Sequence, residues 1–407
     1  MKLIVSCFSC SPSRGSEPGM GWGYLRAIAS HHDIWALVDG YEFEEELRRY
    51  QAEHPEELKR VHFVFVPCKP HPILRKLWPP SYYWFYNLWH RRAYRIAKKL
   101  HKEIGFDAAW KLSMVTYREP GYLWKLPIPF VWGPVGALGL TDWRLLPLVG
   151  LKGGLEFAIR NVINWWQSHL LRRPRLAARK AAQTNTLFAA TGENAREMKR
   201  LWRVDSRVLC EIGLSDLPVE APVAPHKELR IFWSGLFERR KALPLLLRAL
   251  SKVKIPFELH VLGDGALKQA WQVEAKSLGV SEHIVWHGWK PRTEAFAILG
   301  QSDVAIVASI HDLTSTVLVE AIAHAKPVIC LDHCGFADVI DETCGIKVRI
   351  DTPSVMVKSF TSAIERLYSE GLRRHLSVGA RKRALDYVWA KKTETLVSIL
   401  KGAEHDA

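Results

Sequence analysis

The chain has 407 residues, more than one hydrophobic core usually supports, so two domains are expected. Apolar residues make up 48% and charged residues 24%, proportions that exclude a largely disordered chain. The net charge is +15, and residues 1–210 hold 32 Lys and Arg against 18 Asp and Glu. This imbalance favours an anionic partner for the first half, although a solvated basic surface would also produce it.

The sequence predicts a cytoplasmic protein. The apolar run at 3–8 is too short for the core of a secretory signal, and no run of 18 or more apolar residues could form a spanning helix. Seven cysteines, an odd number without disulfide-like spacing, fit a reducing compartment. Cys330, His333 and Cys334 are interpreted as structural residues, and no metal site is expected.

In the first half, apolar runs predict β-strands with helices between them, at 3–8, 33–38, 61–66, 130–132 and 186–190. A glycine-rich segment containing Gly19 and Gly21 follows the first strand and is expected to open a helix. Its backbone N–H groups could face an anion. The glycine spacing does not match the dinucleotide fingerprint, so a turn without a ligand is an equal alternative.

Two segments of the first half combine aromatic and basic residues. Residues 78–89 contain seven aromatics and precede Arg91, Arg92 and Arg95, and residues 143–171 have a similar composition. Such segments suit the headgroup level of an anionic membrane surface. The alternative is a helix at 83–102 with its aromatic side chains in the core. Nucleic acid is not expected, because no binding motif is present.

Strand and helix signals alternate regularly in the second half. Strands are predicted at 229–233, 257–262, 284–287, 304–308 and 327–331, and helices at 242–253, 267–278, 293–299 and 317–325. Alternation of this kind is typical of an α/β fold, here two Rossmann-like doubly wound domains whose strand ends face a cleft. The predicted parts are an N-terminal domain at 1–216, a linker at 217–227, a C-terminal domain at 228–384, and a closing helix at 385–407 that returns to the N-terminal domain.

Four consecutive places in the second half carry a recognisable pattern. They are the segment 233–241, the Leu-Gly-Asp-Gly turn at 262–265, His-Gly-Trp at 287–289, and the stretch from Asp312 to Ala321. In order and spacing they resemble the nucleotide-sugar domain of family 4 glycosyltransferases, which are retaining enzymes of the GT-B fold. The resemblance covers residues 228–350 well.

The resemblance implies a donor site for a nucleotide diphosphate sugar, with no other cofactor. Arg240 and Lys241 would neutralise the leaving diphosphate, and Glu320 would hold the ribose. These three are the expected catalytic residues. A helix beginning near Ser315 or Thr316 would direct free N–H groups at the diphosphate. The remaining expected donor-binding residues are Gly235, Arg239, Gly263, Gly265, Asp312, Thr314, Ser315, Thr316 and Val317.

The sequence departs from the family pattern at three positions. The family usually has Glu at Asp312 and Arg at Leu236, so that a phosphate contact would pass to Arg239 or Arg240. Trp110 stands where many relatives place a His near the reacting sugar. The segment containing Gly133 and Gly136 resembles the family's cleft loop, and with Gly19, Gly21 and Trp110 these glycines form the expected acceptor side.

The predicted function is retaining transfer of a hexose-type sugar from a nucleotide diphosphate to a glycan or lipid-linked acceptor, in polysaccharide biosynthesis. The protein is expected to be peripheral on the inner face of an anionic membrane. No Asp-x-Asp motif is present, so chemistry without an essential metal is expected. A sugar-nucleotide epimerase of the same fold and a non-catalytic nucleotide-sugar-binding protein remain alternatives.

Overall fold

The computed structural model describes residues 1–68, 81–219 and 226–405, with side chains described through residue 400. The chain divides into two compact units. The first comprises Met1–Gly139, Trp166–Gly213 and Trp389–Ala407, and the second comprises Leu140–Trp165 and Leu214–Val388. Residues 140–165 thus belong to the second unit, whereas the sequence interpretation placed them in the first domain. Residues 220–225 of the predicted linker lie outside the described part.

The described strands of the first unit form one parallel sheet. They are β1 (Lys2–Ser6), β2 (Asp33–Asp39), β3 (Val61–Val66), β4 (Ala108–Lys111), β5 (Phe130–Val135), β6 (Leu187–Ala189) and β7 (Arg207–Val208). Their spatial order is β3-β2-β1-β4-β5-β6-β7. Leu3 and Val5 of β1 pack into one hydrophobic cluster and Ile4 into another, so both faces of the sheet are covered.

Helices connect these strands as crossovers. They are α1 (Ser16–Ala29), α2 (Glu44–Glu53), α3 (Ser81–Ile104), α4 (Gly150–Leu170), α5 (Arg172–Ala182) and α6 (Gly192–Trp202). The division between the two units falls within α4, after Trp165. Helix α1 opens at Ser16, as the glycine-rich segment predicted.

The second unit repeats the same construction. Its described strands are β8 (Leu229–Ser234), β9 (Phe257–Leu262), β10 (Ile284–Gly288), β11 (Val304–Val307), β12 (Val328–Leu331) and β13 (Gly345–Val348), in the order β10-β9-β8-β11-β12-β13. The helices are α7 (Leu243–Leu250), α8 (Lys268–Ser277), α9 (Arg292–Gln301), α10 (Thr316–Ala323), α11 (Phe336–Val339), α12 (Pro353–Arg366) and α13 (Glu370–Ala384). All strand pairs are parallel.

The chain returns to the first unit through α14 (Trp389–His405). Gly23 of α1 and Gly213 lie so close to the Trp389 indole that a Cβ on either glycine would collide with it. The Trp389 ring also meets Tyr24 edge to face at a centroid distance of 4.9 Å. Gly23, Gly213 and the Tyr24 ring therefore form the surface against which Trp389 of the closing helix packs.

Both units are doubly wound α/β sheets of the Rossmann kind, and the predicted fold class is confirmed. In each sheet the strand order reverses beside the first strand of the unit, between β1 and β4 and between β8 and β11. Loops that follow the two strands at such a reversal diverge and leave a crevice at the carboxyl edge, where ligands bind in open α/β sheets.

The aromatic residues of α3 divide between core and surface. Tyr86 and Trp89 are fully buried, whereas Tyr83 and Trp84 are more than half exposed. Arg91 donates to the Tyr122 hydroxyl at 3.2 Å, and Arg92 donates to the Pro67 carbonyl at 2.5 Å. Residues 78–80 of the aromatic segment lie outside the described residues. The core interpretation therefore holds for Tyr86 and Trp89, and the membrane interpretation of the exposed rings stays a prediction.

Candidate functional site

The strand reversal of the second unit brings together the loops that carry the predicted donor residues. The loop after β8 contains Gly235 and leads to a short 3₁₀ turn, Arg239–Lys241. The loop after β11 contains Asp312 and leads to α10. The N–H of Ile310 donates to the carbonyl of Arg240 at 2.8 Å, which ties the two loops together. The fold therefore gathers segments that lie about seventy residues apart in the chain.

Glycines allow the turn after β9 to press against the loop after β8. Gly263 and Gly265 have φ angles of +121° and +153°, a region that side-chain-bearing residues rarely adopt. A Cβ on Gly263 would collide with the carbonyl oxygen of Gly235, and one on Gly265 would lie 2.9 Å from the Phe237 nitrogen. Phe237 N–H donates to the Asp264 carbonyl at 2.9 Å. The two glycines therefore let the two loops pack backbone against backbone at the carboxyl edge.

Two cations of the 3₁₀ turn share one carboxylate. Lys241 Nζ lies 2.7 Å from Asp312 Oδ2, and Arg240 Nη1 lies 3.1 Å from the same oxygen. Arg240 also reaches Glu238 through Nε at 2.6 Å. The Asp312 and Lys241 side chains are only 16% and 12% exposed, so little water screens their attraction.

The pKa of Asp312 reflects this pairing. Burial raises it, but the charges of Lys241 and Arg240, with hydrogen bonds from Lys241 and the Leu313 N–H, outweigh burial and hold it below the usual range. Asp312 is therefore ionised at neutral pH. The three groups form a prearranged triad of two positive charges and one negative charge.

Helix α10 begins beside this triad, as the sequence predicted. Ser315 stands at the N-cap with φ of +70°, and Thr316 is the first helical residue. The first N–H groups of an α-helix have no partner within the helix, and its positive dipole end favours an anion there. Thr316 is exposed and Val317 half-buried, so the first turn is open at its start. Thr314 is buried instead, against Gly335, whose N–H donates to the Leu313 carbonyl at 2.8 Å.

Glu320 lies one turn into α10 and is paired across to α9. Arg292 Nη2 lies 2.9 Å from Glu320 Oε1, and the side chains are 70% and 16% exposed, respectively. Burial raises the pKa of Glu320, and Arg292 only partly offsets this. A largely buried carboxylate whose partner is an exposed side chain can exchange that partner for hydroxyl donors of a ligand.

Two basic positions of the 3₁₀ turn have different neighbours. Arg239 Nη1 lies 3.7 Å from Glu156 of α4, so it points away from the Asp312 triad. Arg240 lies in the triad. If a phosphate contact has passed from Leu236 to another residue, the structure favours Arg240. Leu236 itself is more than half exposed beside the glycine turn.

The residues assigned to the acceptor side lie in the first unit, mostly as packing elements. Trp110 of β4 is 1% exposed, and its indole N–H donates to the Gly133 carbonyl at 2.9 Å. Trp110 was expected beside the reacting sugar, but it lies in the core. From there its indole holds the Gly133 loop by a hydrogen bond. Gly133 has φ of +138°, and the Gly136 carbonyl accepts from Tyr117 N–H at 3.3 Å.

Gly19 and Gly21 lie inside α1 and not in an open loop. A Cβ on Gly19 would lie 2.5 Å from the Arg14 carbonyl oxygen, and one on Gly21 would collide with the Ser9 carbonyl oxygen. The two glycines let the helix pack directly on the loop that follows β1. Their structural role is close approach of backbone to backbone.

Arg292 was not predicted as a site residue. It opens α9, where the helix dipole disfavours a cation, and this placement was the available signal that a tertiary partner holds it. The partner, Glu320, is 28 residues away. Among the described residues, no cluster of three or more His, Cys, Asp and Glu could hold a metal ion.

Comparisons with known proteins find a family match within the second unit. Residues 219–383 match the model of a family described as glycosyl transferases group 1. This part of the chain is similar to the group 1 glycosyl transferases. The resemblance seen in the sequence motifs is thereby confirmed, and all the predicted donor residues fall within the matched residues 219–383.

The relatives with similar sequences align with this chain over only part of their length. The chain is 30% identical over 154 residues to the putative glycosyltransferase EpsD of Bacillus subtilis, covering 37% of this chain and 39% of EpsD. It is 25% identical over 178 residues to the Campylobacter jejuni N-acetylgalactosamine-N,N'-diacetylbacillosaminyl-diphospho-undecaprenol 4-alpha-N-acetylgalactosaminyltransferase, covering 43% of this chain and 47% of that enzyme. The chain thus matches less than half of either relative.

Solved structures extend the likeness of fold to both units. HepE from Anabaena, crystallised with UDP, aligns with a TM-score of 0.62 over 98% of this chain and 100% of HepE, at 13% identity. Identity this low shows the fold alone.

No helix among the described residues is both long enough and apolar enough to cross a bilayer.

Proposed function

We propose that the protein transfers a hexose-type sugar from a nucleotide diphosphate to a glycan or lipid-linked acceptor, with retention of anomeric configuration. The observation that carries the proposal is the triad of Arg240, Lys241 and Asp312 beside the start of α10. Positive charge and free N–H groups converge there on the crevice of a group 1 glycosyl transferase domain. A diphosphate is the ligand whose charge and size suit that convergence.

Each donor residue has a distinct task in this proposal. Lys241 and Arg240 neutralise the charge that grows on the diphosphate as the glycosidic bond breaks, which lowers the barrier directly. The α10 N–H groups bind the same phosphates, and Gly263 and Gly265 let the donor approach the backbone. Glu320 accepts hydrogen bonds from the ribose hydroxyls in place of Arg292. Asp312 orients the donor sugar, and its ion pairs keep Arg240 and Lys241 in position.

The acceptor is proposed to bind the first unit. The Campylobacter relative carries a diphospho-undecaprenol acceptor in its name, which supports a lipid-linked acceptor here. The charge excess of residues 1–210 supports an anionic one. Action on such a substrate at the inner face of a membrane would make the protein peripheral. The chemistry needs alignment and fixed charges, and no metal enters the proposal.

Transfer to a defined acceptor tests this function. Purified protein is incubated with radiolabelled nucleotide sugars, beginning with UDP-sugars because HepE binds UDP, and with undecaprenyl-diphosphate-linked mono- and disaccharides. We expect label in the lipid fraction and an unchanged anomeric configuration by NMR. Lys241→Ala should abolish transfer, whereas Arg248→Ala, which removes a salt-bridged cation from α7, should not.

The alternatives give different results in the same assay. Conversion of the free nucleotide sugar to its epimer without acceptor would contradict the proposal in favour of an epimerase. Donor binding without transfer to any lipid or soluble glycan acceptor would contradict it in favour of a binding protein.

A further inference from the structure

Helix α4 carries an apolar face that the other described residues leave uncovered. Leu151, Leu155, Ile159, Val162 and Ile163 are 97%, 64%, 51%, 60% and 48% exposed. All five lie in the part of α4 that belongs to the second unit. Their spacing of three, four and eleven residues puts them on one side of an α-helix. We name these five residues the α4 apolar face.

The opposite side of α4 is held firmly, so the exposure does not come from a loose helix. Phe157 is 3% exposed and packs into the core of the second unit. The Asn161 side chain exchanges two hydrogen bonds with the backbone of Thr141, at 2.9 and 2.7 Å. One side of the helix is therefore fixed by the packing of Phe157 and the hydrogen bonds of Asn161. The other side presents five large apolar side chains to solvent.

Scattered exposed apolar residues are ordinary, but an aligned row of five on one helix marks an interaction surface. Such a row suits a bilayer interface, in which a helix lies in the plane with its apolar face among the headgroups and upper acyl chains. Trp165 and Trp166, both more than half exposed, follow on the same helix. Tryptophan prefers the headgroup level of a membrane.

Charge decides between a lipid surface and a second copy of the chain. Lys152 and Arg160 on α4 are exposed. Glu156, the only acidic residue of α4, is already paired with Arg160 at 2.7 Å. A symmetric dimer through this face would bring like charges together at a cost, whereas an anionic bilayer would attract them.

We infer that the α4 apolar face docks the protein on an anionic membrane surface, with its five side chains inserted at the interface and the neighbouring cations on lipid headgroups. This surface is separate from the donor residues and does not depend on the proposed transfer reaction. It assigns the docking element to α4, whereas the sequence had drawn attention first to residues 78–89.

Vesicle flotation without any nucleotide sugar tests the inference. The probes are vesicles of phosphatidylcholine alone and of phosphatidylcholine mixed with phosphatidylglycerol. We expect the wild-type protein to float with the mixed vesicles, to remain below with the neutral ones, and to release as salt is raised. The variant Leu155→Ser with Ile159→Ser should lower the partition coefficient by about tenfold or more, because two inserted apolar side chains are lost.

A matched control separates docking from general loss of apolar surface. Val273 and Val378 are 68% and 69% exposed on α8 and α13 of the same unit. The variant Val273→Ser with Val378→Ser should float like the wild type. Circular dichroism and the thermal midpoint of both double variants should match the wild type, since no buried residue changes.

Three results would overturn the inference. One is a wild-type protein that stays unbound with anionic vesicles, and another is an α4 double variant that floats as well as the wild type. The third is a concentration-dependent dimer in analytical ultracentrifugation that the α4 double variant abolishes, because the face would then join two copies of the chain.

Discussion

Glu320 combines burial with an exposed, exchangeable partner. Burial raises its pKa, and the charge and hydrogen bond of Arg292 offset this only in part. Ribose hydroxyls would supply the missing hydrogen bonds. We expect Glu320→Ala to lower the transfer rate by the equivalent of about 2–4 kcal/mol, the usual cost of losing a charged acceptor. The measurement is kcat/KM for donor turnover, with circular dichroism to confirm the fold.

Arg292→Ala is the informative control, since it removes the partner of Glu320 but keeps the carboxylate. It should retain most of the wild-type rate. A folded Glu320→Ala protein that turned over at the wild-type rate would remove Glu320 from the donor site.

Lys241 and Arg240 are expected to bind the diphosphate and not the sugar. Replacing either with Ala should therefore weaken a nucleoside diphosphate and the complete nucleotide sugar by a similar factor, about tenfold to a hundredfold for a charged hydrogen bond. Isothermal titration of both ligands measures this. Arg248→Ala should bind both as the wild type does. Unchanged affinity for the nucleoside diphosphate in both variants would show that the phosphate lies elsewhere.

The turn after β9 that contains Gly263 and Gly265 contributes to the predicted donor site through the path of its backbone. Gly265→Ala would add a Cβ 2.9 Å from the backbone of Phe237 at φ of +153°, so we expect a loss of stability of about 1–3 kcal/mol together with loss of nucleotide binding. Gly279→Ala is the matched control. It has φ of +70° with nothing within 4 Å of its Cβ, so it should cost about 1 kcal/mol and leave binding intact.

Urea unfolding and nucleotide titration measure the two effects. If Gly265→Ala bound nucleotide with wild-type affinity, the turn would be a structural connection and not part of the donor site.

At the level of elements, the sequence allowed prediction of most of the second unit. Apolar runs bounded by turns located β8 to β12, and the family motifs located the start of α10. Strands β4, β7 and β13 were missed because each is short and contains a cation, Lys111, Arg207 or Lys347, that interrupts its apolar run, whereas the equally short β6, β11 and β12 are wholly apolar. The aromatic pattern of α3 could not show which rings were buried, since that depends on packing against distant residues.

The site residues were predicted from motifs, but their pairing was not. Lys241 and Asp312 lie 71 positions apart, and Arg292 and Glu320 lie 28 apart. Contacts over such separations are fixed by the strand order at the sheet reversal and leave no local trace in the sequence. Trp110 shows the converse, since its motif position suggested a ligand contact and the sheet placed it in the core.

At the scale of the whole molecule, α14 fastens the end of the described chain to the first unit through a buried lysine. Lys392 Nζ donates to the carbonyls of Cys210 and Ile212 at 2.6 and 2.7 Å. Burial lowers the pKa of Lys392 to about 8, although Cys210 and Glu211 oppose this effect. The native protein therefore holds this proton less tightly than the unfolded chain does.

The sign of the pH effect follows from that difference. Between about pH 8 and pH 10.4, the unfolded chain keeps a proton at Lys392 that the native protein has released, so this site makes the unfolding free energy rise with pH. Lys392→Met should lack the rise. We expect the difference between wild type and variant to change by up to about 3 kcal/mol across the window, measured by urea unfolding at several pH values. A difference that stays constant with pH would contradict the assignment.

The central claim is that the second unit binds a nucleotide sugar through its diphosphate. The most direct measurement is the thermal midpoint of the wild-type protein with a panel of nucleoside monophosphates, nucleoside diphosphates and nucleotide sugars. Ligand at about 100 times its Kd should add about 2.7 kcal/mol to the stability of the unit that binds it. We predict a rise of several degrees with at least one nucleoside diphosphate and its sugar, and a much smaller rise with the matching monophosphate. No rise with any member of the panel, or an equal rise with the monophosphate, would contradict the account.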